Sequence, residues 1–136
     1  MGYKSINKNL IGSNCITAII KDYKGNLWVA SDNDEIYCID PQGKQKAHFT
    51  SEKGNNIPKS ITCFFEDSEK KIWIGSVFQG MARLNTDNGM CDYIPQFNDC
   101  SIYSIVEDRT KHLWVGTMGN GLFQTDLNGK IQMKAP

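Results

Sequence analysis

The sequence predicts an all-β protein built from three four-stranded β-propeller blades, and three observations carry that prediction. A segment running from aspartate to tryptophan occurs three times, as Asp22–Trp28, Asp67–Trp73 and Asp108–Trp114. The copies lie 45 and then 41 residues apart, counted from Trp28 to Trp73 to Trp114, a period typical of units that stack into propellers. Each copy breaks into short runs rich in β-branched and aromatic residues, bounded by Gly, Asn and Asp, and no segment shows a sustained helical period with caps.

The elements follow in order within each copy. The first strand is Ile16–Lys21, with counterparts Ile61–Glu66 and Ile102–Glu107. A tight turn such as Lys24-Gly25-Asn26 leads into a second strand at Leu27–Ala30. The third strand is Glu35–Ile39, matched by Met81–Leu84 and Leu122–Thr125, and the fourth is the least regular, at Lys46–Thr50, Met90–Ile94 and Lys130–Lys134. A lone four-stranded sheet leaves apolar faces wet, and radial stacking covers them. Trp28, Trp73 and Trp114 are expected to be the large inserts between blades, and Asp22, Asp67 and Asp108 to be turn residues whose carboxylates accept backbone N–H groups.

The blades fall near residues 14–54, 59–97 and 100–136 of a single propeller fragment, with 1–13 supplying a linker and an extra outer strand at Tyr3–Ile6. Propellers close with about four to eight blades. Three blades are therefore a partial propeller, to be completed by a homodimer that closes six blades or by further blades of a longer parent.

Composition removes several function classes. Hydrophobic residues are 40% and charged residues 22%, with fifteen basic residues balancing fifteen acidic ones. That balance, without a Lys/Arg run, excludes nucleic acid as the expected partner. No apolar run is long enough to span a bilayer, so no membrane contact is expected of this segment, and no signal peptide is visible. Five cysteines without a CxxC pair point to neither a metal site nor a complete disulfide framework. Cys15, Cys38 and Cys63 sit in strand-like runs and are expected to act as small hydrophobes, with Cys91 and Cys100 nearer the surface.

The stretches "ITAIIKDYKGNLWVAS", "ITCFFEDSEKKIWIGS" and "IYSIVEDRTKHLWVGTMGNGL" resemble the two-component regulator propeller repeat, with its acidic turn, LW-[VI]-G-[ST] strand and Gly-Gly-Leu-like step. The likeness covers residues 14 to 136, with departures at Ala30, at Asp32–Ile36 and at Lys71. It implies the extracytoplasmic, periplasmic sensor part of a bacterial hybrid two-component protein, and many such proteins resemble sensors of glycan breakdown products. Kinase, phosphoacceptor and DNA-binding modules are absent from this segment.

Chemistry is not indicated. Glu66-Asp67 and Glu107-Asp108 are adjacent strand acids, whose side chains point to opposite faces. His112 takes the turn place of Asn26 and Lys71, and Gly119-Asn-Gly121 belongs to a strand–strand step rather than to a phosphate loop. The expectation is no enzyme, no catalytic residue, no metal and no cofactor. Binding is better supported, because the loops between second and third strands vary while the strands repeat. Asp32, Asn33, Asp34, Gln79 and Asn120 are expected to bind oligosaccharide hydroxyls, with Phe78 as a stacking face. The competing reading is a protein-interaction scaffold that uses the propeller face or an open blade edge.

Overall fold

The computed structural model describes residues 10–136. The expected strand at Tyr3–Ile6 lies outside the described residues. Blade 1 comprises β1 (Ile16–Lys21), β2 (Leu27–Ser31), β3 (Glu35–Ile39) and β4 (Gln45–Thr50). Blade 2 comprises β5 (Ile61–Glu66), β6 (Ile72–Ser76), β7 (Met81–Leu84) and β8 (Cys91–Tyr93). Blade 3 comprises β9 (Ile102–Glu107), β10 (Leu113–Thr117), β11 (Leu122–Thr125) and β12 (Ile131–Ala135). Each blade is a four-stranded antiparallel meander in chain order. The first strands form the inner edge of an arc, where β5 touches both β1 and β9. Strand β8 is shorter than Met90–Ile94 because the Met90 carbonyl closes the preceding turn by accepting the Asn85 N–H at 2.8 Å, and Ile94 caps the 3-10 turn that follows. Short 3-10 turns at Ser51–Lys53 and Pro95–Phe97 lie in the two linkers between blades.

The core lies between blades rather than within them. Trp28, 2% exposed, packs with Ile57, Ile61, Ile72 and Ile74 of the following linker and blade. Trp73, fully buried, packs with Phe97, Ile102, Leu113 and Val115. Trp114 occupies the same place on blade 3 and is only half-buried. Its face is open: Val106, Leu122 and Met133 are 55%, 40% and 53% exposed. On the outward side of blade 1, Leu10 covers Val29, Tyr37 and Ile39, with Gln45 Nε2 donating to the Leu10 carbonyl at 2.7 Å. Leu10 thus takes the linker position that Ile57 and Phe97 hold at the other two blades.

The residue two places after each tryptophan sets how closely blades approach. Ala30 is fully buried against blade 2. A Cβ on Gly75 would sit 2.7 Å from Cys63 Sγ and 2.8 Å from Ile102 Cγ2, whereas one on Gly116 would meet nothing nearer than 3.7 Å. Gly75→Ala is expected to destabilise by about 1–3 kcal/mol through overpacking, and Gly116→Ala to be close to neutral. Paired urea titrations check the contrast, and equal midpoints would remove the steric explanation.

The cysteines depart from expectation. Cys91 and Cys100 are buried, at 3% and 8% exposure, because they face the two inter-blade cores, while Cys15 lies just before β1 and is exposed. All five are free thiols. Burial pushes the Cys91 thiol up to about 12.

Candidate ligand-binding site

Two ends of the arc have different chemistry. At one end the turns from first to second strand are closed by aspartates. Asp22 Oδ1 accepts the N–H groups of Lys24 and Asn26, both at 2.9 Å, and Oδ2 accepts Trp28 Nε1 at 2.9 Å. Asp67 accepts from Glu69, Lys71 and Trp73 Nε1 at 2.8, 3.0 and 2.9 Å. Asp108 accepts from Thr110, His112 and Trp114 Nε1 at 2.8, 3.1 and 2.8 Å. Burial pushes the Asp22 carboxyl up, but the Trp28 indole and the turn N–H groups outweigh it, so the net shift is downward. The Trp114 indole, then the Thr110 hydroxyl, hold Asp108 well below the usual carboxylate range. These acids are used as acceptors by their own blades. His112 belongs to the same turn, with Nδ1 2.8 Å from Thr110 Oγ1.

At the other end the loops from second to third strand meet the segments entering each blade. Six residues there were expected to bind ligand, and the structure distributes them. Asp32 Oδ1 accepts from Ser13 Oγ at 2.6 Å. Asn33 is paired through Oδ1 with Ser31 Oγ. Asp34, at φ 63°, ties blade 1 to blade 2 by accepting the Ser60 N–H at 3.0 Å. Gln79 Oε1 accepts the Lys59 N–H of its own blade. Phe78 is 71% exposed, while its N–H donates to Ser101 Oγ of blade 3 at 3.1 Å. Asn120 caps a turn through its N–H, given to Thr117 Oγ1 at 3.0 Å. Asp34 and Gln79 therefore spend one carboxylate or amide oxygen on loop construction. Asn33 with Asp34, and Phe78 with Gln79, lie in separate shallow clefts, and neither cleft contains Asp32.

What the structure does bring together is a row that sequence reasoning missed. Each inner strand is bulged at the residue after its first isoleucine. The pairing register shifts between Ile16 and Ala18, between Ile61 and Cys63, and opposite Gly116 and Thr117, where Tyr103 is passed over. The residues left over are Thr17, Thr62 and Tyr103. Bulges re-aim side chains and concentrate beside functional sites. Here the three line one cleft of about 450 Å³ with Asp32, Ser60 and Val77, so all three blades contribute. Tyr103 is 47% exposed. The Thr17 hydroxyl donates to the Ala30 carbonyl at 3.4 Å, and that of Thr62 to the Ile102 carbonyl. The cleft thus offers an aromatic face, the hydroxyls of Ser60, Thr17 and Thr62, of which the last two already give their protons to carbonyls, and the carboxylate of Asp32, one oxygen of which is taken by Ser13. The usable signal was the triplet Thr17, Thr62, Tyr103 at one repeat position, each carrying a hydroxyl directly after the first isoleucine of its inner strand.

Sequence comparison matches the two component regulator propeller over residues 10–33, 57–78 and 96–119, one match per blade. The chain belongs to this family. The matches within the two component regulator propeller begin at the linker positions Leu10 and Ile57 and at Gln96, beside Phe97, and run through the clasped turn and β2, β6 or β10. Among solved structures, the extracellular domain of the hybrid two component system BT3049 from B. thetaiotaomicron is similar, with TM-score 0.78 and 23% identity over 96% of this chain and 17% of that one. Virginiamycin B lyase from Staphylococcus aureus is similar with TM-score 0.71 and 22% identity, covering 90% of this chain and 42% of that one. The RRP9 WD40 repeats align with TM-score 0.75 at 11% identity, over 91% and 39%. These likenesses show a shared propeller fold, and this regulator propeller chain spans less than half the length of each. No curated protein matches it.

Proposed function

We propose that the chain is a non-catalytic, ligand-sensing part of a hybrid two-component sensor, working in the periplasm, and that its ligands are oligosaccharides released by glycan breakdown. The observation that carries the reading is the bulged row Thr17, Thr62 and Tyr103 around one cleft. A sugar ring offers an apolar face to an aromatic and hydroxyls to polar neighbours, and this cleft supplies both. The extracellular location of the BT3049 domain supports the placement. Among the described residues no helix is long and apolar enough to cross a membrane. The acids most suited to general acid–base work, Asp22, Asp67 and Asp108, each accept three or more hydrogen bonds from their own turns, which favours a binding role over a catalytic one.

A screen of oligosaccharides by thermal shift tests this. We expect a stabilising saccharide, with Tyr103→Ala weakening its binding at least about tenfold, the scale of one lost stacking contact at about 1.4 kcal/mol, and leaving the unliganded melting temperature nearly unchanged. Silence across the panel, or full binding by Tyr103→Ala, would overturn the assignment of this cleft. The exposed face of blade 3, with Val106, Leu122 and Met133, favours a second reading as a protein-interaction scaffold. Saccharide silence combined with a stable protein partner on that face would select it.

A further inference from the structure

The place paired with each repeat tryptophan on the third strand of its blade differs in kind from blade to blade. Trp28 pairs with Cys38, Trp73 with Arg83 and Trp114 with Gln124. Cys38 is buried in the apolar seam beside Trp28, so packing does not require a cation at this position. Arg83 is half-buried, with its guanidinium 5.6 Å over the Trp73 ring. Its Nη1 is covered from solvent and has no hydrogen-bond partner among the described residues. A charged donor that has given up water without gaining an acceptor is a cost to the fold.

The nearest acceptor in the sheet is unused. Asp92 stands directly across from Arg83 on β8, yet no ion pair joins the two among the described residues. Both instead line a cleft of about 350 Å³ with Lys70, Lys71, Asn85 and Thr86. This cleft lies at the clasp end of blade 2, between the turn after Asp67 and the turn that joins β7 to β8. It shares no residue with the cleft that Tyr103 lines. Three cations against one carboxylate give it a positive balance. Lys70 holds its ammonium 5.6 Å over the Tyr23 ring, on the blade 1 side. Lys71 makes a solvent-exposed pair with Glu69 at 3.4 Å, a weak hold on a long side chain. Lys71 precedes Trp73 by two positions, which along an extended chain puts it on the Arg83 face.

We propose that this cleft is an oxyanion site, in which Arg83 and Lys71 hold a carboxylate, sulfate or phosphate group. A guanidinium offers parallel N–H donors that match two oxygens of such a group, and its flat face stays stacked on Trp73 while its edge binds. Lys71 brings a second cation. Asn85 spends its Oδ1 on the Asp87 and Asn88 N–H groups, which leaves its amide N–H groups to donate beside the Thr86 hydroxyl. Asp92 competes with the ligand for Arg83 and repels it, and so sets the affinity. The site stands on these residues alone and is independent of what the Tyr103 cleft binds.

Anion titration of the full chain at low ionic strength, followed by the amide NMR shifts of residues 83–86 and 92, tests this. Sodium sulfate, phosphate and acetate are the probes, with chloride at matched ionic strength as the control for screening. At least one probe is expected to saturate these shifts at low millimolar concentration, and the tightest names the group. Arg83→Gln is expected to weaken that binding at least about tenfold, and Arg83→Lys, which keeps the charge but loses the fork, by less. Lys71→Gln leaves the Trp73 stack intact and should weaken binding several-fold, whereas Asp92→Asn should tighten it. Silence with all three probes overturns the proposal, as does a response that chloride reproduces. Binding that Arg83→Gln and Lys71→Gln leave unchanged would place the anion elsewhere and overturn it equally. Should Arg83→Gln fail to fold, Lys71→Gln and Asp92→Asn decide, and affinities that do not move in opposite directions refute the site.

Discussion

Trp73→Ala will lower the stability of the fold by about 3–5 kcal/mol, the cost of emptying a fully buried tryptophan site. Trp73 has no exposed surface and stands in the contact between blades 2 and 3. Its ring lies 5.6 Å beneath the Arg83 guanidinium, so truncation removes a cation–π contact as well as apolar packing. The three repeat positions give an internal control. Trp114 makes the same indole bond to its aspartate but has no blade stacked on it within the described residues, and it remains half-buried. Trp114→Ala should therefore cost less than half as much. Urea denaturation of the two variants measures both numbers. Equal losses would mean that the indole–carboxylate bond, and not inter-blade packing, carries the energy.

Asp67→Ala is expected to destabilise by about 2–4 kcal/mol, because one change removes the acceptor of three hydrogen bonds and a buried donor left unpaired costs about 1–3 kcal/mol. The Glu69 and Lys71 N–H groups can turn to water at the surface, but Trp73 Nε1 cannot. Asp67→Asn keeps one oxygen and should cost less. Neither change should alter ligand binding, since Asp67 lies five residues along the inner strand from Thr62, about 16 Å at about 3.3 Å per residue. Calorimetric melting alongside oligosaccharide titration separates the roles. Lost binding with an unchanged melt would move the carboxylate into the site.

The inner strands were legible in the sequence to the residue, at Ile16–Lys21, Ile61–Glu66 and Ile102–Glu107, because three copies in phase reveal alternation that a single copy would blur. The outer strands were less so: inner and outer strands are both sheet edges, but the inner ones are also held by the inner strands of adjoining blades, whereas an outer strand such as Cys91–Tyr93 has β7 as its main neighbour and a weakly constrained sequence. Burial of Cys91 and Cys100 was hidden because it comes from the neighbouring blade, which no local pattern reports. The candidate site was the least visible part. Variable loops drew attention to Asp32, which lines the cleft, and also to Asp34 and Gln79, each with one oxygen engaged by backbone. Tyr103 is aimed into its cleft by a bulge, and a bulge is a mismatch between two strands that neither sequence declares alone.

The clasp between aspartate and tryptophan spans only six positions in the chain, and this locality bears on how the protein folds. Every strand pairs with its sequence neighbour, so each meander can close without waiting for distant segments, and loop closure over so few residues is entropically cheap. Chains whose contacts are short in sequence cross their folding barrier quickly. The slow, long-range part is the docking of finished sheets on one another, which makes the molecule a short linear array with nearest-neighbour coupling. In such an array the middle unit is secured from both sides and the ends fray first. Amide exchange should accordingly be slowest in β5 and β6.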